Sequence, residues 1–235
     1  MRISFSGASC TGKTTTINHF LQRWNNYSLI KSKYRKLIKD KNHSKNTTAK
    51  LQKEILNVLC EETEPYTLHQ NVIYDRCPLD NLIYSMWAYD KGIEGFTDKF
   101  MEESMGMVKK SMEKLDIIFV CTRDLMPPLV ENNNIRETDI EYIKEIDNFF
   151  KAIIQKYKSG VETLPFFDKG NAPAIIDIYG QPFERMAQIA MYVTEEGGMF
   201  GEDESLIDIN ELGKMQDLLR EQKEEYQKEK MPLIK

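Results

Sequence analysis

Residues 7–14 read Gly7-Ala8-Ser9-Cys10-Thr11-Gly12-Lys13-Thr14, a glycine, four residues, then Gly-Lys-Thr. Ahead of them Ile3 and Phe5 give residues 2–6 a short strand pattern, and behind them residues 14–24 continue as a helix pattern. A strand that turns into a helix within so few residues needs glycine. The turn leaves backbone N–H groups and the helix's own amino terminus facing inward, a ready site for phosphate oxygens. Strand, phosphate-cradling loop and helix in that order select a parallel α/β sheet as the fold.

The residue types assign roles within the loop. Gly7, Ala8, Ser9, Cys10, Thr11 and Gly12 contribute backbone to a nucleoside triphosphate, and Lys13 reaches its β and γ phosphates. Thr14 offers a hydroxyl to Mg²⁺, and Thr15 one to the α phosphate. Cys10 takes part through its main chain. With Cys60, Cys77 and Cys121 it forms no Cys-x-x-Cys pair, which excludes the usual zinc and dithiol motifs.

Further along, residues 51–59 repeat apolar positions at helical spacing, and residues 71–74 read as a buried strand ending in Asp75-Arg76. Pro78 with Leu79, Leu82, Ile83 and Met86 starts another helix at once. Residues 100–115 are helical, 116–121 are a central strand followed by Arg123, and 138–157 are a long helix. Residues 174–178 form the last strand and 183–193 its helix. Pro127-Pro128 and the consecutive Asn132, Asn133 and Asn134 mark a loop, so residues 123–140 have the layout of a helical lid. The expected fold is a P-loop NTPase, three-layered α/β/α around a central parallel sheet. The expected division is a domain at 1–195 and an acidic, helical extension at 196–235, which docks on the core or on a second copy in a homo-oligomer.

Charge is uneven. Residues 31–53 hold nine Lys or Arg against the single acid Asp40, whereas residues 195–235 hold twelve acids against six bases. The basic stretch is either a solvated face or an anion-attracting surface, for an anionic small molecule or for nucleic acid. No apolar run reaches the ~20 residues of a membrane span. The chain reads as a soluble, cytoplasmic protein with no membrane partner.

A phosphate loop needs an acid at the end of a neighbouring strand for Mg²⁺ or its waters, and Asp75 is the candidate. The alternative is a cap for the helix at Pro78. With Gly7 to Thr14, Asp75-Arg76 and Ile135-Arg136-Glu137 in this order, the chain resembles the P-loop kinases of nucleosides and nucleotides, the thymidylate kinase and deoxynucleoside kinase group. The resemblance spans residues 1–195, including Ile178-Tyr179-Gly180 and Glu184-Arg185. It implies ATP and Mg²⁺ as cofactors and a small-molecule acceptor, a nucleoside or nucleotide. It also implies Asp75 beside the acceptor, Arg76 on phosphates and Arg136 closing over the transferring group. Arg123 is a further phosphate contact in this reading, or a partner of a surface carboxylate.

Tyr84, Trp87 and Tyr89 either stack an acceptor base or belong to the core. A GTPase is disfavoured, since Asp75-Arg76-Cys77-Pro78 lacks the Asp-x-x-Gly turn and no Asn-Lys-x-Asp motif follows a strand. Two readings stand beside the small-molecule kinase: a kinase acting on a nucleic-acid end or a modified base in DNA, and a regulatory P-loop ATPase switching a partner.

Overall fold

The computed structural model describes residues 1–38, 44–64, 70–123, 139–160, 164–168 and 170–199. Five strands, β1 (Arg2–Ser6), β2 (Ser28–Ile30), β3 (Val72–Asp75), β4 (Ile117–Cys121) and β5 (Ala174–Ile178), form one sheet in the order β2-β3-β1-β4-β5. Every pairing is parallel, and the register sets Phe5 beside both Asp75 and Phe119.

Side chains alternate between two apolar clusters, one on each face. Ile3, Phe5, Ile73, Ile117, Phe119 and Ile178 pack under α1 (Lys13–Arg23) and α7 (Pro182–Ala190), where Ile17, Phe20, Met186 and Ile189 meet them. Val72, Tyr74, Ile118, Val120 and Ile175 face the other way. There they meet α3 (Ala49–Thr63), α4 (Pro78–Asp90), α5 (Asp98–Met112) and α6 (Ile140–Ser159). A parallel sheet covered on both faces needs apolar residues at both parities of its strands, which is why residues 116–121 read as an unbroken apolar run. A smaller cluster joins Tyr34 of α2 (Tyr34–Ile38) to Leu51, Ile55 and Leu59 of α3.

The helix starts follow local chemistry. Thr48 and Thr97 accept from Leu51 N–H and Phe100 N–H at 3.2 Å each, and Asp139 accepts from Glu141 N–H and Tyr142 N–H at 3.0 Å each. The first turn of α1 differs: Gly12 precedes it with no capping side chain, and no acid lies in that turn. Its N–H groups are left for an anion.

Expected and observed elements agree to within a few residues except in the basic stretch, where α2 and a 3-10 turn at Ser44–Asn46 stand with no element expected, and at β2, which adds an edge strand beside β3. Its three residues, Ser28-Leu29-Ile30, are largely exposed and carry no buried periodicity. Pairing with Val72 to Tyr74 alone makes them a strand. The loop expected at 126–134, the extension from 200 onward and the basic residues Lys39 and Lys41 lie outside the described residues. Within the described part, the turn before the extension is held by three side chains: Trp24 Nε1–H donates to Thr194 O at 2.7 Å, Asn26 Nδ2–H to Glu196 O at 2.8 Å and Tyr27 Oη–H to Gly197 O at 2.6 Å.

Candidate functional site

Strand order reverses at β1, whose neighbours are β3 and β4, so the carboxyl end of β1 opens into the crevice where parallel α/β sheets place their ligands. Residues 7–14 fill that position. Gly7 has φ +132, and a Cβ there would lie 2.6 Å from the carbonyl oxygen of Cys121 at the end of β4. Only glycine lets the loop pass that close to the neighbouring strand. Cys10 holds φ +58, a left-handed conformation inside the loop, as expected of a residue used for its main chain. Thr14 and Thr15 are exposed on the first turn of α1.

Lys13 is buried and turned back onto the loop. Its Nζ donates to Gly7 O at 2.9 Å, to Ala8 O, and to Thr11 Oγ1 at 3.3 Å. Burial, followed by the nearby Arg76 guanidinium, lowers its pKa to about 8. A buried ammonium held on carbonyls that a phosphate would replace, beside the half-buried Arg76 guanidinium, gives the loop a positive lining suited to an anion.

Asp75 ends β3 with its carboxylate near the loop. Its Oδ2 accepts from Arg35 of α2 at 2.5 Å, while Oδ1 is buried with no hydrogen-bond partner among the described residues. Arg35 therefore carries part of the basic stretch onto the acid beside the loop. The cap of α4 falls to Asp80, whose Oδ2 accepts from Cys77 N–H at 3.1 Å. The same Asp80 takes Gly7 N–H on Oδ1 at 3.1 Å and Arg76 Nη1–H on Oδ1 at 3.0 Å. Arg76 also donates to Gly7 O at 3.2 Å and lies 5.4 Å from the ring centre of Tyr84, whose hydroxyl is 3.4 Å from Ser9 Oγ. Arg76 itself has φ +85, a strained value for a residue with a side chain.

On the other flank, Arg185 of α7 donates from Nη1 to Thr11 O at 2.5 Å and from Nη2 to Thr122 O at 3.3 Å, and its buried Nε has no partner among the described residues. The loop is thus held by a buried acid at its first glycine and a buried guanidinium near its last. Arg123 follows β4, its backbone N–H bonded to Asp147 Oδ1 at 3.1 Å. Arg136 lies outside the described residues. Trp87 is buried against Tyr142 and donates to Glu145, and the exposed Tyr89 bonds Asp98, so neither lines the loop. Of the three aromatics, Tyr84 alone touches the site.

Lys13, Asp75 and Arg76 come together as the motif spacing implies. Asp80 and Arg35 are members that the sequence alone does not single out, and Arg185, which the resemblance includes without a role, braces the loop at Thr11. For Asp80 a signal existed: an acid at the third position of a helix begun by proline is a start signature. What such a pattern cannot reveal is that the carboxylate also reaches across to Gly7, seventy-three positions away. Among the described residues no group of three or more His, Cys, Asp or Glu is placed to hold a metal ion. No helix among them is long and apolar enough to cross a membrane.

Comparison with solved structures places this architecture. Thymidylate kinase from Candida albicans superposes with a TM-score of 0.53 at 15% identity, over 80% of this chain and 88% of that one. A NadR protein solved in complex with NR superposes with a TM-score of 0.52 at 10% identity, over 94% of this chain; the chain spans only 50% of the NadR length. At such identities the likeness is one of fold, the three-layer P-loop arrangement. No curated protein sequence matches. A family model described as AAA domain matches residues 2–168, a stretch that runs from β1 past α6 and contains the loop, Asp75-Arg76 and Asp80. The chain therefore belongs to this AAA-domain family, with its phosphate loop close to the amino end of the matched stretch.

Proposed function

We propose that this protein is an ATP-dependent kinase that transfers the γ-phosphoryl group to a small acceptor, a nucleoside, nucleotide or nucleotide-like molecule. The observation that carries the reading is the acid–arginine pair Asp75-Arg76, one strand over from the phosphate loop, with Arg35 of the basic stretch bonded to Asp75. A nucleotide switch needs the loop and an acid for Mg²⁺. The two further cations beside them, Arg76 and Arg35, suit a second substrate at the transferring phosphate.

Phosphoryl transfer demands positioning and charge neutralisation more than covalent help. Lys13 and Arg76 supply positive charge at the phosphates, and α1 adds its uncapped N–H groups. The bond between the γ phosphorus and the β–γ bridging oxygen breaks, and a bond to the acceptor oxygen forms. Where the acceptor is a hydroxyl, its proton passes to the Asp75 carboxylate. Thr14, exposed on the first turn, and Asp75, with a buried oxygen that has no hydrogen-bond partner among the described residues, are the residues fitted to hold Mg²⁺ or its waters. When bound, that ion neutralises phosphate charge. Arg136 and Arg123 are assigned to the lid and its root by the family resemblance.

The test is ADP release by the purified protein with Mg²⁺ and ATP across nucleosides, nucleoside monophosphates and DNA oligonucleotides. One acceptor should stimulate release, and Lys13→Ala and Asp75→Ala should each abolish it. Release that no acceptor alters would overturn the kinase in favour of a regulatory ATPase. Stimulation by oligonucleotides alone, lost steeply with salt, would move the acceptor to nucleic acid.

A further inference from the structure

Asp80 is 1% exposed, yet it is not simply the cap of α4. One oxygen closes the start of the helix on Cys77 N–H; the other bridges Gly7 N–H of the phosphate loop and the Arg76 guanidinium. Arg76 in turn holds Gly7 O, so Gly7 is gripped at both its N–H and its C=O by one ion pair from the start of α4. Neither group can shift without disturbing the other, and Arg76 keeps a positive φ within this arrangement.

We propose that Asp80 is a positioning residue that locks Arg76 and the first glycine of the loop into one rigid unit, so that the guanidinium meets the phosphates in a fixed pose. The proposal rests on the kinase reading for its kinetic readout. Its underlying claim concerns the loop and Arg76, and holds for any nucleotide chemistry at this site.

Two variants separate positioning from capping. Asp80→Asn keeps the volume but loses the charge opposite Arg76, and its single carbonyl oxygen can accept on the Oδ1 side, from Gly7 and Arg76, or on the Oδ2 side, from Cys77 N–H, but not on both. Asp80→Glu retains the charge and suits the third helix position of a capping box, but its extra methylene moves the carboxylate away from the position where one oxygen meets both Gly7 N–H and Arg76. A misplacement of ~1 Å in a catalytic constellation costs on the order of 100-fold in rate. Both variants should lose about that factor in kcat, with KM for the acceptor changed by no more than a few fold. In a double-mutant cycle, Arg76→Ala added to Asp80→Asn should cost little more than Arg76→Ala alone, because Asp80 acts through Arg76.

Recovery of wild-type kcat by Asp80→Glu, or multiplicative losses in the cycle, would overturn the proposal and leave Asp80 a helix cap. Thermal melting checks that each variant is folded. Should Asp80→Asn fail to fold, Asp80→Glu and its own cycle with Arg76→Ala decide the matter. If the wild type hydrolyses ATP with no acceptor effect, the kinase reading falls, and the same cycle read on hydrolysis still tests Asp80.

Discussion

The ammonium of Lys13 carries a charge that its surroundings resist. With its pKa lowered to about 8, chiefly by burial, the free protein loses this proton well before an exposed lysine would. A phosphate in the loop favours the charged form and raises the value. Above about pH 8 binding must therefore take up a proton, and nucleotide affinity should fall as pH rises. Titration calorimetry in two buffers of different ionisation heat reads that uptake; a flat affinity with no uptake would sink the idea. The free protein's stability moves oppositely: the unfolded chain holds this proton up to about 10.5, so this group's contribution rises with pH between about 8 and 10.5. Gly7 is the other residue with no substitute. Gly7→Ala sets a methyl 2.6 Å from Cys121 O at a positive φ, and should abolish nucleotide binding and lower the melting temperature.

At the scale of elements, α1 joins the site to the core. Its amino end meets the loop, while Phe20 packs against Phe5 at 5.7 Å, Trp24 at 4.5 Å and Tyr27 at 5.0 Å between ring centres. Phe20 is fully buried, and Phe20→Ala should cost about 3–5 kcal/mol of stability in denaturant unfolding. A loss under about 1 kcal/mol would mean that this face of the sheet repacks freely. The helices α1, α4 and α6 were legible because their apolar positions recur at helical spacing, and α4 and α6 also begin on residues that satisfy orphan N–H groups locally. β2 was not, because no side chain of Ser28-Leu29-Ile30 announces a buried face; β3 recruits it through its backbone. Asp80 was half legible. Its helix-start role is local, whereas its bond to Gly7 depends on β3 delivering α4 beside β1.

Over the whole molecule, the sheet's two ends have separate work. The carboxyl ends of the strands carry the loop. At the opposite end, Trp24, Asn26 and Tyr27 hold the turn at 194–197. Gly197 has φ +82, and a Cβ would lie 2.8 Å from both Asn26 and Tyr27 side-chain atoms. Gly197→Val should lower stability by about 1–3 kcal/mol while leaving nucleotide affinity unchanged, since the loop lies at the far end of α1. A matching loss of affinity would show the two ends to be coupled. The sequence by itself determined the phosphate loop, the parallel sheet and the acid–arginine pair. Each is written in residues close along the chain, where glycine conformations, apolar periodicity and helix-start chemistry act locally. Only the tertiary structure decided that Asp80 reaches Gly7, that Arg185 reaches Thr11 and that Arg35 reaches Asp75. Those bonds join residues 40 to 174 positions apart, and a buried charge finds its partner only after the strands have set the distances between them.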